Sequence, residues 1–163
     1  MEEIDASHDL MGSGVDELVF DPATSNDTES LLALARAFHC EDGHPLDGKG
    51  EAAISRLSEE LLARCWLVRS QGSLLGYVVL TLGYSIEHGG RDAFIDDLYL
   101  VPQARGQGVG ARVLDFVEDQ ARRLGVKVLH LEVERTNDRA SRLYQRRGFV
   151  ESGRMLCSKP LGG

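Results

Sequence analysis

Apolar positions along the chain switch between a helical and a strand period. Val15 to Phe20 is a short apolar-rich run that predicts a strand. Leu31, Leu34, Ala35 and Phe38 fall at i, i+3, i+4 and i+7, which predicts a helix to about His39 that Asp27 can cap. Cys40 to Gly50 holds Gly, Pro and acidic residues and reads as a loop. A second helix is expected over Glu51 to Ala63, with Ile54, Leu57, Leu61 and Leu62 on one side. Strands are then expected at Cys65 to Arg69, Leu74 to Tyr84 and Ala93 to Val101, separated by turns at Gln71-Gly72 and Gly89-Gly90. Val109, Val113, Val117, Ala121 and Leu124 predict a helix over Gln107 to Leu124, stopped by Gly125. Val126 to Glu134 reads as a strand. Asn137 or Asp138 caps a helix to Arg147, stopped by Gly148, and Phe149 to Glu151 and Arg154 to Ser158 close the chain as two short strands.

The resulting order is β-α-α-β-β-β-α-β-α-β-β. It defines an α/β protein, α+β in having a mixed sheet, whose strand–helix–strand crossover over 93–134 makes a parallel pair. The chain has 163 residues, which fits one domain at roughly 100–200 residues each. Residues 1–14 are polar and acidic and read as a flexible tail, leaving 15–163 as a single domain.

Net charge is −8, which argues against general affinity for nucleic acid or an anionic membrane. That sum hides a split. Residues 1–100 carry 6 Lys/Arg against 19 Asp/Glu, and residues 101–163 carry 12 against 7. Such asymmetry suggests two different ligands or surfaces. No apolar run approaches the ~20 residues that span a bilayer, and the acidic start has no apolar leader. Cys40, Cys65 and Cys157 are odd in number and far apart, which suits a reduced, cytoplasmic protein. Cys40, Asp42 and His44 are too loosely spaced to argue for zinc, so no metal is expected.

The most informative stretch is Arg105-Gly106-Gln107-Gly108-Val109-Gly110-Ala111, which joins a strand to a helix. Alternating glycines let backbone approach a ligand closely, and the helix start offers unpaired N–H groups and partial positive charge. Together these suit phosphate, to which Arg105 can add a charge-assisted contact. Gly106, Gly108 and Ala111 also match a dinucleotide-binding pattern, but too little chain follows for the βα units such a fold needs. A phosphate loop of the Gly-Lys-Ser/Thr type is excluded by sequence. A tight turn without a ligand is the remaining bland reading.

The loop resembles the R-x-x-G-x-G/A segment of the GCN5-related N-acetyltransferases, the GNAT family. Asn137-Asp-Arg-Ala140-Ser-Arg-Leu143-Tyr144-Gln-Arg-Arg-Gly148-Phe149 is similar to that family's second motif. The likeness in element order covers about residues 15–159 and is specific over 93–150. It implies acetyl-CoA as cosubstrate and coenzyme A as product. It places the pantetheine arm on backbone groups of Leu98, Tyr99, Leu100 and Val101, and the pyrophosphate on Arg105, Gly106, Gln107, Gly108, Val109, Gly110 and Ala111. It assigns Asn137 a contact near the thiol end, although Asn137 reads equally as a plain helix cap.

The resemblance also implies direct attack of an amine on the thioester. Tyr144 matches the family's acid, against the alternative of a core aromatic on the face it shares with Ala140 and Leu143. Asp96 and Asp97 lie next to each other in an apolar strand and point to opposite faces. Burying either without purpose is expensive. Asp96 matches the family's base, acting directly or through a water, and Asp97 either holds structure or binds the acceptor amine. Glu41, Asp42 and Glu87, with Asp97, are the acidic residues that would seat a cationic acceptor: a polyamine, an aminoglycoside, or a lysine or N-terminal amine of a protein. The family includes dimers, so a homodimer is allowed; neither nucleic acid nor membrane is an expected partner. A module that binds acetyl-CoA as a sensor without turnover is the alternative function. If the charge split is functional, neutralising Glu41, Asp42 and Glu87 should weaken a cationic acceptor's KM far more than acetyl-CoA affinity, measured by steady-state kinetics and calorimetry; equal loss of both would reduce the split to scatter.

Overall fold

A computed structural model of the chain describes residue 15 and residues 17–161. The proposed tail, 1–14, lies outside the described residues. The described residues fall into two compact units that divide after Leu131.

The first unit is a five-stranded mixed sheet in the order β1-β2-β3-β4-β5. Its strands are β1 (Val19–Pro22), β2 (Ala63–Ser70), β3 (Ser73–Ser85), β4 (Gly90–Leu100) and β5 (Val128–Leu131). The first four pair antiparallel, and β5 joins β4 in parallel through the crossover. The β2–β3 turn forms at Gln71 and Gly72, both with positive φ (47° and 78°), as a tight two-residue hairpin requires.

Alternation along β2 and β3 divides the core. Cys65, Leu67, Tyr77 and Val79, with Tyr99 of β4, pack against Leu31, Leu34 and Ala35 of helix α1 (Thr28–Glu41). Trp66, Val68, Val78 and Leu80 are buried on the other face. There Trp66 meets Phe116 of helix α3 (Val109–Arg123) edge-on at 5.3 Å, and Phe116 stacks on Phe20 at 4.1 Å. The apolar period of α3 holds as expected: Val109, Val113, Leu114, Val117 and Ala121 are buried. Gly125 follows it with φ 75°.

Several boundaries differ from the sequence expectation. Asp27 stands at the N-cap of α1, yet its carboxylate turns back to Thr24, accepting from that backbone N–H at 2.9 Å and from the hydroxyl at 2.8 Å. The second helix, α2, spans Gly48–Arg56, not 51–63. Asp47 caps it by accepting from the N–H groups of Lys49 and Gly50, which starts the helix among residues that read as loop. It ends in a 3-10 turn, Leu57–Glu59, and Leu61 and Leu62 are left 83% and 65% exposed.

The second unit contains helix α4 (Asp138–Arg146), capped by the Asn137 side chain, which accepts from the Ala140 N–H at 3.1 Å. Gly148 ends it with φ 86°. The two closing strands expected at 149–151 and 154–158 are absent; no described residue after α4 is in a strand. The two runs are three and five residues long, Gly153 separates them with φ 70°, and Met155-Leu156 sit side by side where a half-buried strand alternates. They lack the pattern that would hold a ladder.

Gly76 faces Leu100 across β3 and β4, and a Cβ there would run into the Tyr99 carbonyl and the Leu100 backbone. Because backbone cannot swing aside, Gly76→Ala should cost about 1–3 kcal/mol of stability, read from urea unfolding. An unchanged midpoint would show that the two strands have slack.

Candidate active site

The site is organised by one irregularity in β4. Val79 of β3 is opposite Asp97, but the next residue, Leu80, is opposite Ile95. Asp96 is therefore an extra residue without an opposite number, a β-bulge. Pairing between β4 and β5 runs from Asp92–Val128 to Ile95–Leu131 and stops there. Beyond the bulge, Asp97 to Leu100 continue with β3 on one side and no β5 partner on the other. An unpaired strand edge offers backbone N–H and C=O groups at regular spacing. Leu98, Tyr99 and Leu100 form that stretch of β4; the Leu100 carbonyl already accepts from Arg105 Nε at 2.7 Å, and the Tyr99 carbonyl faces Gly76 of β3. Val101 departs from the expectation, since its N–H donates to the Leu75 carbonyl at 2.8 Å and its own carbonyl accepts from the Ala104 N–H at 2.9 Å.

The glycine loop follows directly. Gly106 and Gly108 have φ of 79° and 77°, a conformation open to glycine at little cost. A Cβ at Gly108 would point into open space, so the glycine is there for its backbone angle. Gly108 is the N-cap of α3 and makes no side-chain cap. The first helical bond is Arg112 N–H to the Gly108 carbonyl, so the N–H groups of Val109, Gly110 and Ala111 have no partner within the helix. The Val109 side chain is buried, leaving its backbone as the only part a ligand could meet. Gln107 uses its amide to donate to the Gln103 carbonyl at 2.7 Å.

Arg105 and Glu41, expected to serve two different ligands, are partners. The guanidinium Nη2 lies 2.8 and 3.1 Å from the two Glu41 oxygens, and Nε donates to the Leu100 carbonyl at 2.7 Å. Arg105 also lies over the Tyr99 ring, 5.3 Å from its centre, and the Tyr99 hydroxyl donates to Glu41 at 3.0 Å. Burial and the Glu41 carboxylate keep that phenol protonated by pushing its pKa up. Arg105 thus pairs with α1, and Glu41 ties α1 to the loop while its side chain stays 45% exposed.

Of the remaining acidic candidates, Asp42 is exposed at the end of α1 and Glu87 is exposed in the β3–β4 connection. Glu87 stands before Gly90, the start of β4, so roughly 20 Å of strand separates it from Asp97 at about 3.3 Å per residue. The structure does not bring Glu87 to the bulge. Asp96 and Asp97 differ sharply. Asp96 is exposed at the bulge, while the Asp97 side chain is 12% exposed. Burial pushes the Asp97 carboxyl up, countered by a 2.7 Å hydrogen bond from the Tyr77 hydroxyl and by the His39 imidazole, whose Nε2 is 3.7 Å away. The buried Tyr77 phenol is pushed up strongly, by burial first and then by Asp97, so it donates and never ionises. Sequence reasoning missed both His39 and Tyr77. A signal for His39 was present: it continues the buried stripe Leu31, Ala35 at i+4 and i+8.

In the second unit Tyr144 is half-buried, meets Phe149 edge-on at 5.9 Å, and has its pKa raised by burial. Asn137 serves as the cap of α4.

The model of the acetyltransferase (GNAT) family matches residues 29–149. The chain is 30% identical to the aminoglycoside N(6')-acetyltransferase type 1 of Klebsiella aerogenes, over 86% of this chain and 95% of that one. Among solved structures, an integron cassette protein from the mobile metagenome of Cole Harbour salt marsh is similar with TM-score 0.75 at 36% identity, covering 88% of this chain and 91% of that one. A predicted acetyltransferase of Clostridium acetobutylicum, solved with acetyl-CoA, shares the fold with TM-score 0.73 at 15% identity, covering 88% and 96%. With an unpaired strand edge running into a glycine loop at a helix start, and a family match over most of its length, this chain belongs to the GNAT acetyltransferase family.

The Glu41–Arg105 pair is partly exposed, which limits its strength. A double-mutant cycle of Glu41→Ala and Arg105→Ala should return a coupling of about 0.2–1 kcal/mol in urea unfolding, shrinking at high salt. Strict additivity would mean that the pair contributes nothing.

Proposed function

We propose that the chain transfers the acetyl group of acetyl-CoA to a primary amine of a small cationic molecule or a protein. One observation carries the reading: β4 loses its β5 partner at the Asp96 bulge and runs, still unpaired on that side, into the glycine loop. That edge fits an extended amide-bearing arm, and the loop's N–H groups fit a pyrophosphate with no Cβ in the way at Gly106 or Gly108. Acetyl-CoA, when bound, supplies the activated thioester carbonyl. Leu98, Tyr99 and Leu100 would hold the pantetheine, and the backbone of Gly106 to Ala111 the pyrophosphate. Asn137 would add a contact near the thiol end.

Two proton transfers accompany the chemistry. The attacking amine must lose a proton and the departing thiolate benefits from one. Tyr144 is the donor to the thiolate in this reading, supported by its motif and by a raised pKa that keeps it protonated. Asp96, exposed at the bulge, with Asp42, draws the ammonium in and offers one route for its proton through a water. The acidic surroundings, and the aminoglycoside acceptor in the name of the Klebsiella relative, both favour a cationic acceptor. Three free cysteines suit a reducing, cytoplasmic setting, and no described helix is long and apolar enough to cross a membrane.

Thiol release from acetyl-CoA, followed against polyamines, aminoglycosides, amino acids and peptides, tests the proposal. Turnover with at least one cationic amine is expected, and Tyr144→Phe should lower kcat by about 10²-fold. Tight acetyl-CoA binding with no amine consumed would overturn it in favour of a sensor.

A further inference from the structure

Asp96, one recipient for the amine's proton, is an exposed carboxylate. A group better built to receive it stands on α1. His39 lies in the last turn of that helix, with its side chain 29% exposed and Nε2 3.7 Å from Asp97 Oδ2. The same Asp97 oxygen accepts the Tyr77 hydroxyl at 2.7 Å. Tyr77 is fully buried, so it fixes the carboxylate from the core side. The order is therefore buried phenol, half-buried carboxylate, solvent-reaching imidazole. It comes from three elements, β3, β4 and α1, and it ends beside the residue at which β4 parts from β5.

We propose that His39 accepts the proton of the incoming amine and that Asp97, fixed by Tyr77, is the positioning residue that orients the imidazole. This rests on the acetyl-transfer reading above. With Nε2 facing Asp97 at 3.7 Å, the lone pair on Nδ1 takes the proton, directly or through one water. The ammonium becomes a neutral amine and His39 an imidazolium. The amine then forms the C–N bond as the C–S bond breaks, and the thiolate takes its proton from Tyr144. His39 returns its proton to solvent after product leaves. An imidazole suits this role because its two nitrogens let it face a carboxylate with one and accept a proton on the other.

The charged and titratable groups around the pair are few. β4 presents Asp96 beside Asp97, and β3 presents Tyr77. β2 presents Cys65, whose thiol burial pushes up to about 12, so it stays uncharged. Glu41, two residues along α1, is held by Arg105 and Tyr99. Among the described residues, Asp96 competes for the proton from beside Asp97.

The test uses the full chain, acetyl-CoA, and kanamycin or spermidine as acceptor, with kcat/KM followed from acid to neutral pH. The wild type should show a rate that climbs with pH and levels. His39→Gln should lower kcat by about 10²-fold, abolish the climb and leave acetyl-CoA affinity unchanged. Asp96→Asn should keep the climb. Exogenous imidazole should restore at least tenfold of the rate lost in His39→Ala, which a purely structural residue would not permit. Asp97→Asn, whose amide oxygen can still accept from Tyr77, should slow the wild type but not the His39→Gln protein further. A His39→Gln enzyme with wild-type kcat and an intact climb, or His39→Ala without rescue, overturns the relay alone. A wild type that acetylates neither amine overturns the acetyl-transfer reading, and the relay with it.

Discussion

One extra residue in β4 sets the arrangement of the rest of the first unit. β5 pairs with β4 along its whole length, Val128 to Leu131, and ends level with Ile95, one residue before the bulge at Asp96. Beyond the bulge β4 keeps its ladder to β3 and has no β5 partner. A bulge costs one unpaired residue and increases local twist. In return it exposes an ordered row of backbone groups next to a helix start. Those are the two features a long, anionic, amide-bearing ligand requires, and neither depends on a particular side chain.

The bulge also separates the fates of two adjacent aspartates. In a regular strand they would face opposite sides with similar surroundings along each face. Here Asp96 is exposed, and Asp97 enters the α1 side of the sheet, where Tyr77 and His39 meet it. The same face holds the Glu41–Arg105–Tyr99 cluster. Helix α1 thereby touches both the carboxylate after the bulge and the loop after β4. Its C-terminal turn, carrying His39 and Glu41, is fixed at two points by polar contacts, while Leu31, Leu34 and Ala35 anchor its buried face.

Much of this was legible because its signals are local. Glycines at 106 and 108 state their own backbone requirement, and the i, i+4 rhythm of α3 announces its buried face. The β2–β3 turn was likewise readable from two residues. The illegible features are long-range. Nothing near Arg105 in sequence indicates Glu41 as its partner, and an arginine beside a phosphate-type loop reads naturally as a ligand contact. His39 looked like the end of a helix because its partner is on β4. The N-cap of α2 was missed because Gly48 and Gly50 look like loop residues until Asp47 is seen to accept the N–H groups of Lys49 and Gly50. The closing strands were misjudged for the converse reason: short apolar runs suggested strands, but a strand exists only where a ladder receives it.

The sheet's two kinds of pairing bear on how the opening is built during folding. β3 and β4 join through a tight connection and pair over most of their length, so their contacts close small loops. β4 and β5 meet only after the chain has passed through α3, a far longer loop, and pair over four residues. Local pairings form at lower entropic cost than non-local ones. The strand carrying the bulge is thus secured against β3 by its own hairpin, while the gap beside it depends on the costlier crossover through α3 that delivers β5.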